Sequence, residues 1–494
     1  MKYKTRVTWK NVAGNQVAEP LRIYTPESLE QIIEIVREAE RHHVQLSAVG
    51  AGHSFSDVAI TTGFLLEPTK LNKVIPLATS LLNNHADPAT LFHVESGIRL
   101  GALNEALDRN NLALINMGGY DEHTIAGAIS TSTHGSGIQF GPLSEFVETI
   151  ELVSDGGVVY RIEPTQGITN RAEYERTYPD QNTRKLIQND HWFNAVVVSM
   201  GCMGVIYSLI LRVTQKYWLK EVRLLSSWEQ VKTDLSQGEV LRQYRHYEVL
   251  INPYKLNGHH RCLVTTRQPE APPDRKLYDK GKRNFLAEFL AGLPIIRRIL
   301  KAIFDIIPGI TPEIINASLE GLVDSAYVNK SYKVLNIGTA NEILAYSAEI
   351  GFPMKQNLHL EAVERLLAIA AESQALGQLF LTSPISLRFV KGAKAFLSPQ
   401  HGYDTCMVEI IVIKGTQGAF ELLRRFENEL YSFSGRPHWG QVNSLTGSND
   451  LVRSMYPNYD AWIDIYQQLN RNGTFDNPFS KRVGFDKYTF SQTS

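Results

Sequence analysis

Residues Gly50-Ala51-Gly52-His53-Ser54-Phe55-Ser56-Asp57 set a histidine among small residues, directly after an apolar segment, Val44 to Val49. A second small-residue run follows downstream: Ala126-Gly127-Ala128-Ile129-Ser130-Thr131-Ser132-Thr133-His134-Gly135-Ser136-Gly137. Two such loops gather many backbone N–H groups, which is what a pyrophosphate needs. The histidine is surplus to phosphate binding, and covalent attachment of a flavin would account for it. The commoner dinucleotide fingerprint does not fit. Gly50-x-Gly52-x-x-Phe55 lacks the third glycine, and no βαβ unit with an acidic residue about twenty positions on is visible.

Periodicity indicates the elements that must hold these loops. Pro26 to His42 is predicted as a helix, with Thr25 as its cap, Pro26 at its first position, and Leu29, Ile32, Ile33, Ile35 and Val36 on one face. Val44 to Val49 is a strand entering the glycine loop, Phe92 to Glu95 another, and Leu100 to Arg109 an amphipathic helix. Glu148 to Arg161 reads as a hairpin turned at Asp155-Gly156-Gly157. Val196 to Val213 reads as apolar strand around Gly201 and Gly204, ending an α+β half near residue 215. Beyond it, Tyr247 to Ile251 and Val408 to Ile413 are strand-like, and Leu360 to Ser373 and Gln417 to Tyr431 helical. An insertion, 267–325, separates them. Within it Pro294 to Ile307 puts Ile296, Ile299, Leu300, Ile303 and Ile307 on one stripe. Such a stripe suits a helix on a membrane surface, and more commonly one packed on the protein's own core or at a subunit interface.

Composition sets outer limits. A chain of 494 residues should form two or more domains, since single cores rarely grow past about 250–300 residues. With a net charge of −1 there is no electrostatic ground for a nucleic-acid partner. Cys202, Cys262 and Cys406 show neither disulfide nor zinc spacing. No secretory leader or membrane-length apolar run is visible, so the expected location is cytoplasmic. No metal is expected, and the oligomeric state is left open.

The chain resembles flavoproteins of the vanillyl-alcohol oxidase type, within them the sugar-lactone oxidase (D-arabinono-1,4-lactone oxidase) and alditol oxidase branch. The matching marks are Trp9 to Asn15, Val49 to Asp57, Ala126 to Gly137 and Gly201-Cys202-Met203-Gly204-Val205-Ile206. Near the end come Arg436-Pro437-His438-Trp439-Gly440 and Asn472 to Pro478. The resemblance implies an α+β fold: a two-subdomain FAD-binding domain of the vanillyl-alcohol oxidase/p-cresol methylhydroxylase type and an α+β substrate (cap) domain with a large antiparallel sheet. Residues 1–215 would bind FAD, 216–440 would form the cap with the helical insertion 267–325, and 441–494 would return to the FAD domain.

The same resemblance implies residue roles. His53 would bond through a ring nitrogen to the 8α-methyl of the flavin, which in this family raises its potential. Gly50, Ala51, Gly52, His53 and Ser54 would wrap the pyrophosphate, with Val49 and Phe55 also at the cofactor. Gly119, Thr124, Gly127, Thr131, Ser132, Thr133 and His134 would line the rest of the cofactor, with Ile206 near the adenine and His438 near the flavin. Gly118 falls where relatives place a residue that governs oxygen access. A glycine there leaves space and favours an oxidase forming hydrogen peroxide; it also fits a plain turn needing positive φ.

The substrate residues depart from the pattern. Where relatives carry Glu-x-Arg, this chain has Ser386-Leu387-Arg388, and the lysine after His-Trp-Gly is Gln441. Glu409 stands where relatives place a substrate-facing histidine. A carboxylate inside Met-Val-Glu-Ile-Ile-Val is costly to bury alone, so Glu409 either replaces the lost acid and pairs with Arg388 or faces water at a strand edge. The expected reaction is hydride transfer from the CH–OH of an alcohol, polyol or sugar lactone to flavin N5, with a small-molecule substrate and O2 as partners. A bulkier secondary-metabolite or sterol-like alcohol, a dehydrogenase feeding a quinone or cytochrome, and a non-enzymatic flavin binder are the alternatives.

Overall fold

A computed structural model describes residues 2–273, 307–337, 345–377, 379–447 and 450–486. Three sheets organise them. The first has four strands in the order Tyr3–Lys4, Arg22–Tyr24, Phe64–Leu66, Leu46–Ala48, the last three mutually parallel. Leu46–Ala48 delivers the chain into the glycine loop, as expected, though the strand is shorter than Val44 to Val49. Helix Leu29–Arg41 covers this sheet with Leu29, Ile32, Ile35, Val36 and Ala39. Ser28 rather than Thr25 caps it: Ser28 is extended, and its hydroxyl accepts from the Gln31 N–H.

The second sheet has five strands, ordered Arg184–Gln188, Val158–Glu163, Val147–Ser154, Val205–Arg212, Leu91–Glu95. It contains the hairpin turned at Asp155 to Gly157, where both glycines take positive φ. The segment Val196 to Val213 is not one strand. Helix Asp190–Val196 ends it on one side, and Met200, Gly201 and Gly204 have φ of 49°, 76° and 141°, angles that a strand does not contain. Only Val205–Arg212 is extended.

The third sheet has eight strands, all antiparallel neighbours: Asp324–Lys330, Trp218–Ser227, His259–Glu270, His246–Leu256, Ile385–Val390, Thr405–Ile413, Ala345–Pro353, Arg436–Pro437. Side chains alternate between its faces. Val249, Leu387, Val408, Ile410 and Ile350 join a core under helices Leu358–Ala375 and Ala419–Leu430. Leu250, Ser386, Arg388, Glu409, Ile411 and Glu349 emerge on the other face, toward the small-residue loops. The strand His259–Glu270 carries the sheet past residue 267, and helix Thr311–Gly321 lies against His246–Leu256. The expected amphipathic segment Pro294 to Ile307 lies, apart from Ile307, outside the described residues.

The segment after the large sheet returns to the first two. Trp462 Nε1 donates to the Val198 carbonyl, Leu46 N–H to the Thr474 carbonyl, and Asn477 Nδ2 to the Val58 carbonyl. Arg482 is paired with Asp57 at 2.6 Å. Among the described residues no helix is long and apolar enough to cross a membrane.

Candidate active site

A cavity of about 820 Å³ lies between the glycine loop, the second loop, the 118–124 segment and the inner face of the eight-stranded sheet. The loops meet closely. A Cβ at Gly50 would overlap Thr124 Oγ1, and Gly52 takes a φ of +70°, so both positions need glycine. Thr124 is buried and its hydroxyl accepts from the Gly127 N–H, fixing the start of helix Ile125–Ser130.

His53 sits on the cavity wall. Its Nε2 is 3.0 Å from Tyr120 Oη, and its ring meets both Tyr120 and His123 edge-on. Its Nδ1 is buried without an aligned hydrogen-bond partner. Burial lowers the His53 pKa, with Arg99 adding to the effect, and burial takes His123 down to about 3. Both rings are therefore neutral at pH 7.

Facing them across the cavity is a set of charged groups on adjacent strands. Arg388 Nη1 lies 3.6 Å from Glu409 Oε2, and the other oxygen, Oε1, accepts from Ser347 Oγ at 2.9 Å. Glu349 stands directly across the strand pair from Glu409. His134 Nδ1–H donates to the Gly135 carbonyl at 2.8 Å, which turns Nε2 to within 3.2 Å of Glu349 Oε1. Behind Arg388, Glu248 is its cross-strand neighbour, and Arg267 bonds both Glu248 and Glu221 at 2.6 and 2.7 Å.

Burial alone would raise both carboxyls and lower His134. At Glu349 burial is the largest influence and raises it, but the charge and hydrogen bond of His134, with His438 and Arg388 adding, together outweigh burial and hold it down to about 2, and Glu349 in turn raises His134. Glu409 moves the other way: burial raises it, Arg388 only partly opposes that, and Glu349 adds to the rise. Both carboxylates are thus paired, but Glu349 is held as the anion while Glu409 is shifted toward taking up a proton. His438 accepts the Gly440 N–H at Nδ1, leaving Nε2 as its protonated nitrogen, and burial lowers it to about 4.

The cavity collects nearly all the expected residues. Arg388, Glu409, Ser386, Gln441 and Gly118 line it, as do Val49 to Phe55, Gly119, Thr124, Gly127, Thr131, Thr133, His134, Ile206 and His438. Gln441 Oε1 is buried there without a partner. Glu409 pairs with Arg388 and does not face bulk water. Ser132 is the exception. At a φ of +62° its hydroxyl turns away from the cavity to Ser398 and Gln400, so it braces the loop from behind. Gly118 and Gly119 are not in the positive-φ region, so no turn demands them. A Cβ at Gly118 would come 3.1 Å from the His134 carbonyl, a tight contact, and one at Gly119 would press on the Ile337 side chain.

Tyr120, His123 and Glu349 were not expected. Glu349 carried the same signal as Glu409, an acid inside an apolar strand, in Ser-Ala-Glu-Ile-Gly-Phe. Gly351 and Pro353 broke the strand pattern around it. Tyr120 and His123 had no signal beyond their position between the two glycine segments.

Comparison with known proteins agrees with this geometry. The model of the D-arabinono-1,4-lactone oxidase family matches residues 209–483, more than half of the chain, and that of an FAD binding domain matches residues 20–163. An L-gulono-1,4-lactone dehydrogenase of Mycobacterium tuberculosis is 27% identical over 96% of this chain and 98% of its own. An alditol oxidase of a Streptomyces species is 25% identical over 95% and 97%. Among solved structures, cholesterol oxidase from B. sterolicum superposes with a TM-score of 0.77 over 98% of this chain and 97% of the other, at 15% identity; the likeness is one of fold. The residues present fit FAD: a glycine-only cradle where the loops meet, and a buried histidine nitrogen with no aligned partner on the wall of the same cavity.

Proposed function

Because this chain belongs to the D-arabinono-1,4-lactone oxidase family and is an FAD-dependent oxidoreductase, we propose that it is an oxidase of CH–OH groups with its flavin tethered to His53. FAD, held by the two small-residue loops and His53, would supply a hydride acceptor at N5 for the carbinol carbon and a route for the electrons to O2, giving hydrogen peroxide. On this reading residues 1–215 and 441–494 hold the cofactor and 216–440 the substrate. The observation that carries it is the Arg388–Glu409 pair opening on the same cavity as the His53 loop.

Each residue then has a task. Arg388 holds the substrate oxygen and offsets negative charge that builds up in the reaction. Glu409, whose pairing with Arg388 only partly offsets the effect of burial, accepts the hydroxyl proton. Glu349 and His134 fix each other, so that Glu349 acts on Glu409 as a constant neighbouring charge. His438 offers its Nε2–H, and Gln441 its unpaired oxygen, to polar atoms in the cavity. Two carboxylates thus stand in for the glutamate replaced by Ser386. At Gly118 no side chain narrows the approach for O2.

A relative named as a dehydrogenase supports a second reading, in which a quinone or cytochrome replaces O2 as acceptor. One experiment addresses the tether and the acceptor. The purified protein is acid-denatured and mapped by mass spectrometry, then turned over in air with peroxide detection and, separately, with an artificial acceptor. Flavin covalently on the His53 peptide with peroxide matching product supports the proposal. Free flavin refutes the tether. Turnover only with the artificial acceptor refutes the oxidase.

A further inference from the structure

The charged groups occupy one end of the cavity only. Along Thr405–Ile413, Glu409, Ile411 and Ile413 share the face that lines it, and at about 3.4 Å per residue the last lies roughly 14 Å along the strand from Glu409. Leu250, two strands away on His246–Leu256 and level with Ser386 and Glu409, and Ile314, Ile315 and Leu322, from the helix Thr311–Gly321 and its end, add apolar surface to the same cavity. Few hydroxyls border this apolar end, and three already hold one bond: Thr382 accepts the Ile413 N–H at 2.9 Å, Ser318 donates to the Ile315 carbonyl at 2.7 Å, and Ser347, across from Ile411, donates to Glu409 at 2.9 Å, while Ser383 is a further lining hydroxyl.

A polyol or a sugar lactone carries oxygen on nearly every carbon. Each hydroxyl held against such a wall without a partner weakens binding by about fivefold to a hundredfold. Resting on the CH–OH oxidase reading above, we infer that the substrate is an amphipathic alcohol: one carbinol end at Arg388 and Glu409, and a hydrophobic body along Ile411 and Ile413. The body extends past the reach of a hexitol. The reaction is that of the proposed function: the carbinol C–H leaves as hydride, the O–H proton goes to Glu409, and a carbonyl forms.

The test uses the holoenzyme under anaerobic conditions and reads bleaching of the flavin band, with rate and Kd from stopped flow. The probes are n-alkanols from butanol to decanol, xylitol, sorbitol and L-gulono-1,4-lactone. The inference expects the ratio of reduction rate to Kd to climb by about fourfold per methylene while the cavity fills, with the longer alkanols surpassing every polyol. Ile411→Thr with Ile413→Thr, which keeps the β-branched shape, should flatten that climb. A lactone or polyol that outperforms all alkanols overturns the inference and leaves the oxidase reading intact. A flavin that dithionite bleaches but no probe does overturns the CH–OH reading and this inference with it. Should the double variant not fold, the wild-type series alone decides.

Discussion

Replacing Arg388 should move the pH dependence of flavin reduction, and by an amount the structure sets. In the wild type, burial and Glu349 raise the Glu409 pKa and Arg388 opposes them. At 3.6 Å and an effective dielectric constant of about 20, the Arg388 attraction is on the order of 4–5 kcal/mol. The two side chains keep 20% and 15% of their surface open to the cavity. Water there and Glu248 behind Arg388 reduce the effect to roughly half, about 2 kcal/mol, or about 1.5 pH units at 1.36 kcal/mol per unit. A base works deprotonated, so the sign is fixed: in Arg388→Met the acidic limb of reduction rate over Kd shifts upward by about 1–2 units. Arg388→Lys keeps the charge and loses the fork, so its limb stays near the wild-type position while Kd weakens. The assay is anaerobic stopped-flow reduction across pH, reading the position of the limb and not its height. An unmoved limb in Arg388→Met would refute Glu409 as the proton acceptor.

Three further outcomes are expected. Gly50→Ala puts a methyl onto Thr124 Oγ1, so the protein should purify with little or no flavin, read from its visible absorbance against that at 280 nm. Arg267→Met takes from Glu221 and Glu248 their shared partner, with Arg223 still paired to Glu221; losing one member of a buried ionic set costs about 3–5 kcal/mol, and the thermal midpoint should fall by about 3–5 °C, a shift under about 1 °C by calorimetry arguing against it. The His134–Glu349 pair gives stability a pH window. Glu349, held down to about 2, contributes fully above the unfolded carboxylate range of about 4.3 and loses this as pH falls toward 2. His134, raised, contributes fully below about 6.5 and fades as pH climbs through its folded value. The difference in thermal midpoint between wild type and Glu349→Gln should therefore be largest between about pH 4.5 and 6.5, and a difference flat from pH 4 to 9 would refute the pair.

Residue type made the cofactor side of the site readable. Glycines that must clear a neighbouring hydroxyl, as Gly50 must clear Thr124, leave a mark in any single sequence. The Arg388–Glu409 pair was readable too, because an acid in an apolar strand needs a partner and alternation fixes its face. Direction within a loop was not. Ser132 belongs to the right run, but only its positive φ decides that its hydroxyl points away, and Ser gives no sign of that. Glu349 was hidden because Gly351 and Pro353 weaken the strand pattern that would have exposed it. The Val196 to Val213 error has the same origin: apolar continuity said nothing of the turn at Met200 and Gly201. Helix Leu29–Arg41 began later than expected because two hydroxyls, Thr25 and Ser28, offered a cap and only one was extended at the right spacing.

The glycine loop is braced by chain that is made much later. Phe55 N–H donates to the Gly440 carbonyl, Ser56 to that of Trp439, Asn477 reaches Val58, and Arg482 holds Asp57. During synthesis the loop therefore exists for some four hundred residues before its supports leave the ribosome. On the function proposed above, cofactor loading would be a late event, coupled to completion of the protein and not to emergence of the glycine loop. Ribosomes stalled anywhere before residue 439 would carry colourless chains, however well the early sheets had formed.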